Sequence, residues 1–113
     1  MAYIVNNSEL PSGGTSWQFE GYLHGDAHVS FFLNNTPPGR GPSLHKHPYE
    51  EVFVVQEGQL TLTVGDSTIE ATGGQIVIVP PEVPHKFTNS GASLARHIDI
   101  HVSARMITTW LEE

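Results

Sequence analysis

The stretch that decides the fold is GRGPSLHKHPYEEVFVVQEG, which runs from Gly39 to Gly58. It places His45 and His47 two residues apart, so in an extended strand both imidazoles leave the same face of the sheet. Glu51 adds a carboxylate four residues later, at the head of an apolar run. Imidazole nitrogens and carboxylate oxygens are the usual protein ligands of Mn, Fe, Ni, Zn and Cu ions. The stretch therefore predicts part of a transition-metal site beside a buried strand.

A second carboxylate leaves an alternative open at this site. Glu50 precedes Glu51 directly and carries the same ligand atoms. The spacing to Gly58 and the alternation of the following strand favour Glu51. A polar surface loop without any metal is the other interpretation of the whole group.

Chain length and charge narrow the classes of function. A chain of 113 residues corresponds to one domain, which can close a core without disulfides or a structural metal. A metal here is therefore expected to be functional. Twelve acidic against five basic residues give a formal charge of −7, and the five cations are scattered. Nucleic acid is not an expected partner, because phosphate binding needs clustered Lys and Arg.

The sequence also lacks the signals of a membrane or secreted protein. Its longest purely apolar runs are about four residues, whereas a membrane-spanning helix needs about 20. The first ten residues have no basic region and no sustained apolar run, so we expect no signal peptide. Cysteine is absent. We therefore expect no membrane association and a cytoplasmic location.

Short β-type segments recur along the chain, with Gly, Pro, Asn and Asp between them. Closely spaced strands with almost no helical periodicity indicate an all-β sandwich or barrel. We assign residues 1–16 to an N-terminal arm and residues 17–113 to a single barrel domain. The predicted segments are 17–23, 29–33, 51–55, 60–64, 68–71, 75–79, 85–88 and 94–102.

The C-terminal tail is the one helix candidate. Ser103 is a suitable N-cap for it. The residues that would form its apolar stripe are Met106, Ile107, Trp110 and Leu111. A helix this short is marginal alone, so we expect it to pack on the barrel or on a partner.

Two predicted strands are apolar on both faces. Residues 52–55 and 76–79 consist only of Val, Ile and Phe, so the outer side of the sheet needs a cover. The candidates are the N-terminal arm, the C-terminal helix and a second subunit. We favour a homodimer, since symmetric dimers are the commonest assembly.

The spacing of the residues resembles the two sequence motifs of the cupin family. The first motif is matched by Gly39, His45, His47, Glu51 and Gly58, and the second by Gly74, Pro80, His85 and Asn89. The match covers about residues 39–89. It implies a jelly-roll barrel, also called a double-stranded β-helix. It implies much less about activity, because one fold can host many chemistries.

The resemblance implies one divalent transition-metal ion inside the barrel, held by three histidines and one glutamate. Carried over to this sequence, these ligands are His45, His47, Glu51 and His85. The ligand set suits Mn, Fe, Ni, Zn or Cu without selecting one of them. His85 follows a proline-rich corner that would fix its position. An ordinary structural histidine is the alternative role for His85.

The second motif departs from the family pattern at one position. The family usually has Gly two residues after Pro80, whereas this chain has Glu82. If the turn requires a left-handed backbone, Glu is disfavoured there, and we expect the corner to take another turn type. The spacing from Pro80 to His85 and Asn89 is intact.

Further ionisable side chains alternate on one face of the last long strand. If His97, Asp99 and His101 point into the barrel, they are candidates for acid/base catalysis or for orienting the metal ligands. If they point outward, they form a solvated or dimer-facing edge, and the sequence slightly favours this orientation. His24 and His28 flank a predicted turn, and we expect both to be exposed.

The leading hypothesis is a metal-dependent enzyme that acts on a small organic molecule whose oxygen atoms chelate the ion. Oxygenase chemistry on an enol, catechol or diketone is the first choice. Isomerase, cyclase, lyase and hydrolase reactions are the alternatives. A metal- or ligand-binding module without turnover and a dimeric scaffold or sensor with a vestigial site are the non-enzymatic alternatives.

Overall fold

The chain folds into two five-stranded antiparallel sheets. A computed structural model describes residue 2 and residues 4–112. The strands are β1 (Ser16–Phe19), β2 (Ser30–Thr36), β3 (His45–Lys46), β4 (Glu51–Glu57), β5 (Gln59–Val64), β6 (Ser67–Thr72), β7 (Ile76–Val79), β8 (His85–Asn89), β9 (Ala95–His101) and β10 (Thr109–Trp110). The order is β1-β2-β9-β4-β7 in the first sheet and β10-β3-β8-β5-β6 in the second. The prediction of an all-β architecture is confirmed.

The first predicted strand is shorter than expected. β1 ends at Phe19, and Gly21–Leu23 forms a 3-10 turn, as does Asn7–Glu9 nearer the N-terminus. A side chain at Gly21 would place its Cβ atom 2.0 Å from the carbonyl oxygen of Ala27. The chain therefore turns where only glycine fits.

Among the described residues, no helix has the length and apolar character needed to cross a membrane.

Alternation along the strands sorts the side chains between the barrel interior and its outside. In β4, Glu51, Phe53 and Val55 are buried, and the residues between them lie on the outer face. Fully burying a large apolar side chain such as Phe53 contributes about 1.5–3 kcal/mol. The apolar core consists of Phe53, Val55, Leu60, Leu62, Ala71, Val77, Val79, Phe87 and Ala95.

Gly58 carries the chain from β4 in one sheet to β5 in the other. Its φ angle is +86°, in the left-handed region that favours glycine. A Cβ atom there would lie 2.9 Å from the Cα atom of Ala95. Both constraints require glycine at the end of the first motif, and they fix the point where the second sheet begins.

The corner before β8 keeps a left-handed backbone at Glu82, with φ +67°. The expectation that this corner takes another turn type is therefore wrong. The Glu82 N–H donates a hydrogen bond of 2.7 Å to the carbonyl of His47. A left-handed conformation costs a non-glycine residue roughly 1–2 kcal/mol. The hydrogen bond to His47 stabilises Glu82 in this conformation, and it joins the proline-rich corner to the segment that carries His47.

The predicted C-terminal helix from Ser103 onward is wrong. The chain there bends and then extends, and β10 pairs with β3, so that Thr109 lies opposite Lys46 and Trp110 opposite His45. Past β10, the N–H of Leu111 donates to the carbonyl of Leu44 at 2.9 Å.

Two physical reasons favour the extended tail over a helix. An isolated helix of two turns is marginal in water, whereas the open edge of β3 offers fixed backbone donors and acceptors. Ile107, Thr108 and Thr109 are also β-branched, which favours strand over helix. The tail therefore becomes an edge strand of the second sheet, beside His45.

Candidate metal centre

Four side chains from both sheets converge inside the barrel. His45 and His85 lie opposite each other in β3 and β8, His47 follows β3, and Glu51 opens β4 in the other sheet. Their ligand atoms all lie within 4.8 Å of one another, and all four residues are buried. These are the four residues that the sequence motifs indicated as metal ligands.

Backbone carbonyls fix the direction of all three imidazole rings. Each Nδ1 atom lies at hydrogen-bond distance from a carbonyl oxygen, so each carries a hydrogen and donates it. The bonds run from His45 to Ser43 (2.7 Å), from His47 to Ile107 (2.8 Å) and from His85 to Val83 (2.9 Å). The three Nε2 atoms are thereby left to face one another and the carboxylate of Glu51. Nε2 lone pairs gathered in this way are suited to a metal ion.

The unpaired nitrogen of His47 shows that this donor set suits a cation. His47 Nε2 is buried and has no hydrogen-bond partner among the described residues. It lies 3.0 Å from Glu51 Oε1, but with the hydrogen on Nδ1 its lone pair faces the carboxylate and no hydrogen bond forms. Buried polar atoms without partners are rare because they are costly. A divalent ion between these atoms would satisfy both, so the residues present fit a metal.

The charges of the cluster suit metal binding at neutral pH. Burial raises the pKa of Glu51, but hydrogen bonds from His101 and His85 outweigh burial and hold that pKa well below its usual range. Burial lowers the pKa of His45, which favours the neutral imidazole. For His85, burial acts in the same direction, but the 2.9 Å bond to Glu51 Oε1 prevails and raises its pKa above 6.5. Below pH 6.5 a proton therefore competes with an ion for His85 Nε2.

A tyrosine that the sequence analysis did not single out supports the carboxylate through His101. Burial raises the pKa of Tyr49 to about 12, so the phenol stays protonated. Its hydroxyl accepts from the N–H of Ile107 at 3.1 Å and donates to Nδ1 of His101 at 2.6 Å. The Nε2 hydrogen of His101 then faces Glu51 Oε2 at 3.4 Å. Nothing in the spacing of Tyr49 distinguishes it from an ordinary loop aromatic.

His97, Asp99 and His101 all point into the barrel, so the outward orientation is wrong. All three are buried. The strand pairing explains their orientation, because β9 places Asp99 opposite Phe53 and His101 opposite Glu51, which are themselves interior. His97 Nδ1 lies 2.6 Å from Asp99 Oδ1. Burial raises the pKa of Asp99, and the hydrogen bond to His97 opposes this shift.

The other candidate residues lie outside the cluster. His28 is exposed as expected, whereas His24 is half-buried and stacks on Phe19 with 4.6 Å between ring centroids. Glu50 is half-buried, and it is Glu51 that joins the histidines.

A cavity of about 200 Å³ adjoins the cluster. Three of the candidate ligands line it together with Asp99, His101 and Asn34, and Phe32, Phe87 and Trp110 form much of its apolar wall. Trp110 is 61% exposed and packs beside His45, with 5.0 Å between ring centroids. The tail that the sequence predicted as a helix therefore forms part of the cavity wall.

Two antiparallel sheets that enclose three histidines and one glutamate define a double-stranded β-helix barrel with a candidate metal centre. The family model described as a cupin domain matches residues 32–101. The chain therefore belongs to the cupin family, which confirms the resemblance of the motifs.

Comparison with known proteins shows what the chain resembles. Auxin-binding protein 4 of Zea mays is 31% identical over 88 residues, which cover 70% of this chain and 41% of the maize protein. The chain thus spans less than half of that relative. A double-stranded β-helix protein from Klebsiella pneumoniae has a TM-score of 0.74 and 19% identity over the whole of both chains. The Bacillus subtilis oxalate decarboxylase, in a study of its Mn(II) centres, has a TM-score of 0.77 and 21% identity over 89% of this chain and 29% of its own.

Metal binding should weaken as the pH falls, because an ion must displace the proton that His85 holds against Glu51. The pKa of His85 is raised above 6.5, so each bound ion releases about one proton below that value. Between pH 6 and pH 5 the dissociation constant for added Mn²⁺ should rise at least about tenfold. Titration against a chelating indicator at each pH measures it. An affinity that stays constant from pH 8 to pH 5 would contradict this assignment.

Proposed function

We propose that this protein is a metal-dependent cupin enzyme that acts on a small organic molecule able to chelate the ion. His45, His47, Glu51 and His85 would hold one divalent transition-metal ion. The observation that carries the proposal is the set of three Nε2 atoms directed at one carboxylate, among which His47 Nε2 has no hydrogen-bond partner in the residues that the structure describes. The cavity beside these atoms supplies room for a substrate.

When bound, the ion would act as a Lewis acid on a chelating substrate and, if it is redox-active, would support oxygenase chemistry. The chain's own residues would position the reactants. Tyr49 and His101 hold the carboxylate of Glu51 in place. Asp99 is the candidate acid or base, because its carboxyl lines the cavity beside the cluster.

Oxygenase chemistry on an enol, catechol or diketone remains our first choice of reaction. Isomerase, cyclase, lyase and hydrolase reactions use the same Lewis-acid role of the metal and are the alternatives. The ion itself is Mn, Fe, Ni, Zn or Cu. The fold similarity to an oxalate decarboxylase with Mn(II) centres makes manganese the first ion to test.

A binding protein without turnover is the second candidate function. The observation that favours it is the similarity to a maize protein named for binding auxin. A binding module needs the metal and the cavity but no acid or base, so it predicts that Asp99 contributes only to affinity. We also propose a cytoplasmic location, and we retain residues 1–16 as an arm attached to a domain of residues 17–113.

We further propose that the protein is a homodimer that buries the outer face of the first sheet. Ile76 and Ile78 of β7 are 63% and 66% exposed, beside the half-buried Val52 and Val54 of β4. The C-terminal tail pairs with the other sheet at β3, so it does not lie on these residues. A second copy on this face would remove the apolar patch from water.

Light scattering should therefore give a mass of twice 12.4 kDa at micromolar concentration. The double substitution of Ile76 and Ile78 by Lys should yield a folded monomer, because a charged pair on this face cannot be buried against a copy of itself. Leu23→Lys is the matched control, since Leu23 is 59% exposed elsewhere. A monomeric wild-type protein would refute the dimer.

The test of function begins with protein purified without added metal. Elemental analysis identifies the ion, and oxygen uptake is then measured with a panel of enols, catechols and diketones. The oxygenase proposal predicts uptake that is lost in His47→Ala and retained in His24→Ala, a change of the same kind outside the cluster. Panel members that bind without oxygen uptake or any other turnover would instead support the binding module.

A further inference from the structure

A polar patch inside the cavity is not used by the candidate metal ligands. It consists of Asn34 on β2 and Asp99 on the neighbouring β9. The side-chain amide of Asn34 donates to Asp99 Oδ2 at 2.8 Å. Both residues line the same cavity as Glu51. The patch therefore presents oxygen acceptors to whatever occupies the space beside the cluster.

Hydrogen bonds from neighbouring side chains hold the carboxyl of Asp99 in place. His97 Nδ1 donates to Asp99 Oδ1 at 2.6 Å, and the hydroxyl of Thr36 donates to His97 Nε2 at 2.8 Å. Both carboxylate oxygens of Asp99 then accept a hydrogen bond, Oδ1 from His97 and Oδ2 from Asn34, which fits an ionised carboxylate. Because Asp99 is fixed by two side chains, it loses little conformational freedom when a ligand binds. His97 and Thr36 are therefore positioning residues for this acceptor.

The distance from the patch to the metal ligands suits a short molecule. Asp99 lies two residues from His101 on the same face of β9, and His101 Nε2 lies 3.4 Å from Glu51 Oε2. Two residues of a strand span roughly 7 Å. The cavity of about 200 Å³ holds the volume of roughly six or seven water molecules. Its occupant is compact, and a few atoms suffice to join the two ends.

The charge of the cavity excludes one class of occupant. Among the described residues, which include all five Lys and Arg, no cationic side chain lines it. Four of the five have partners elsewhere: Lys46 pairs with Glu82, Lys86 with Glu112 and Arg96 with Glu57, and Arg105 packs on Tyr22. A second negative charge on the occupant would therefore meet Asp99 with no counter-charge, and such repulsion is strong in a buried site.

We propose that Asp99 and Asn34 form a subsite for a hydroxyl or amino group of the substrate, whose chelating end faces the four candidate ligands. The substrate class is then a compact hydroxy- or amino-substituted carbonyl compound with at most one negative charge. Compounds that would place a second carboxylate beside Asp99 are excluded. This inference rests on the proposed function, because it assumes that a metal holds the chelating end.

Three probes with the same chelating end test the subsite. Lactate, glycerate and hydroxymalonate each carry a 2-hydroxy carboxylate, and they end in a methyl, a hydroxymethyl and a second carboxylate group. In calorimetric titrations of the Mn²⁺-loaded protein, glycerate should bind at least tenfold more tightly than lactate, and hydroxymalonate at least tenfold more weakly than glycerate. If hydroxymalonate binds to the wild-type protein as tightly as glycerate does, the inference is overturned.

Variants then assign the discrimination to particular side chains. Asp99→Asn keeps the shape of the side chain and removes its charge. The affinity for hydroxymalonate, relative to that for glycerate, should therefore rise at least tenfold. Asp66→Asn makes the same change on an exposed turn and should leave all three affinities as they were. Asn34→Ala is the second variant, and it should reduce the preference for glycerate over lactate. Unchanged discrimination in both cavity variants would refute the subsite.

The same experiment separates this inference from the proposed function. If the protein binds Mn²⁺ and lactate but binds all three probes with the same affinity, only the subsite is wrong. If it binds no metal and none of the probes, the proposed function is wrong, and the subsite is refuted with it.

Discussion

The candidate centre depends on three hydrogen bonds from imidazole Nδ1 atoms to backbone carbonyls. These bonds fix the ring orientation of His45, His47 and His85 and leave all three Nε2 atoms facing one carboxylate. Without them the rings could turn and satisfy Nε2 in other ways. With them, His47 Nε2 is buried without a hydrogen-bond partner in the described part of the chain, and the pKa of Glu51 is held well below its usual range. A buried nitrogen without a hydrogen-bond partner is energetically costly, and a bound cation would interact with both this nitrogen and the carboxylate.

The barrel brings the four candidate ligands together from parts of the chain that are far apart in sequence. Glu51 comes from one sheet and His45 and His85 from the other, so the centre lies between them. The C-terminal tail provides the carbonyl of Ile107 for His47, and β10 packs Trp110 beside His45. Metal binding and the order of the tail should therefore be coupled, because both act on the same imidazoles.

The sequence predicted the architecture and the cluster because both follow from local patterns. Alternating apolar residues indicate strands, and the spacing of His45, His47 and Glu51 follows from a strand that enters a turn. The helix predicted after Ser103 was wrong because its alternative was a distant edge strand, which periodicity does not reveal. The strain at Glu82 was missed for a similar reason, since its stabilising bond goes to His47.

Other parts of the site could not be predicted, because they depend on which strands become neighbours. The orientation of His97, Asp99 and His101 was ambiguous in the sequence and is decided by the pairing of β9 with β4. The partnership of Asn34 with Asp99 requires β2 beside β9. Tyr49 gains its role only because His101 and Ile107 lie beside it.

The most direct test is the metal content of three proteins purified without added metal: the wild type, His85→Ala and His28→Ala. The account predicts about one transition-metal ion per chain in the wild type and in His28→Ala. It predicts less than about a tenth of that in His85→Ala, with the barrel still folded because its apolar core does not include His85. Full metal occupancy in a folded His85→Ala protein would contradict the account.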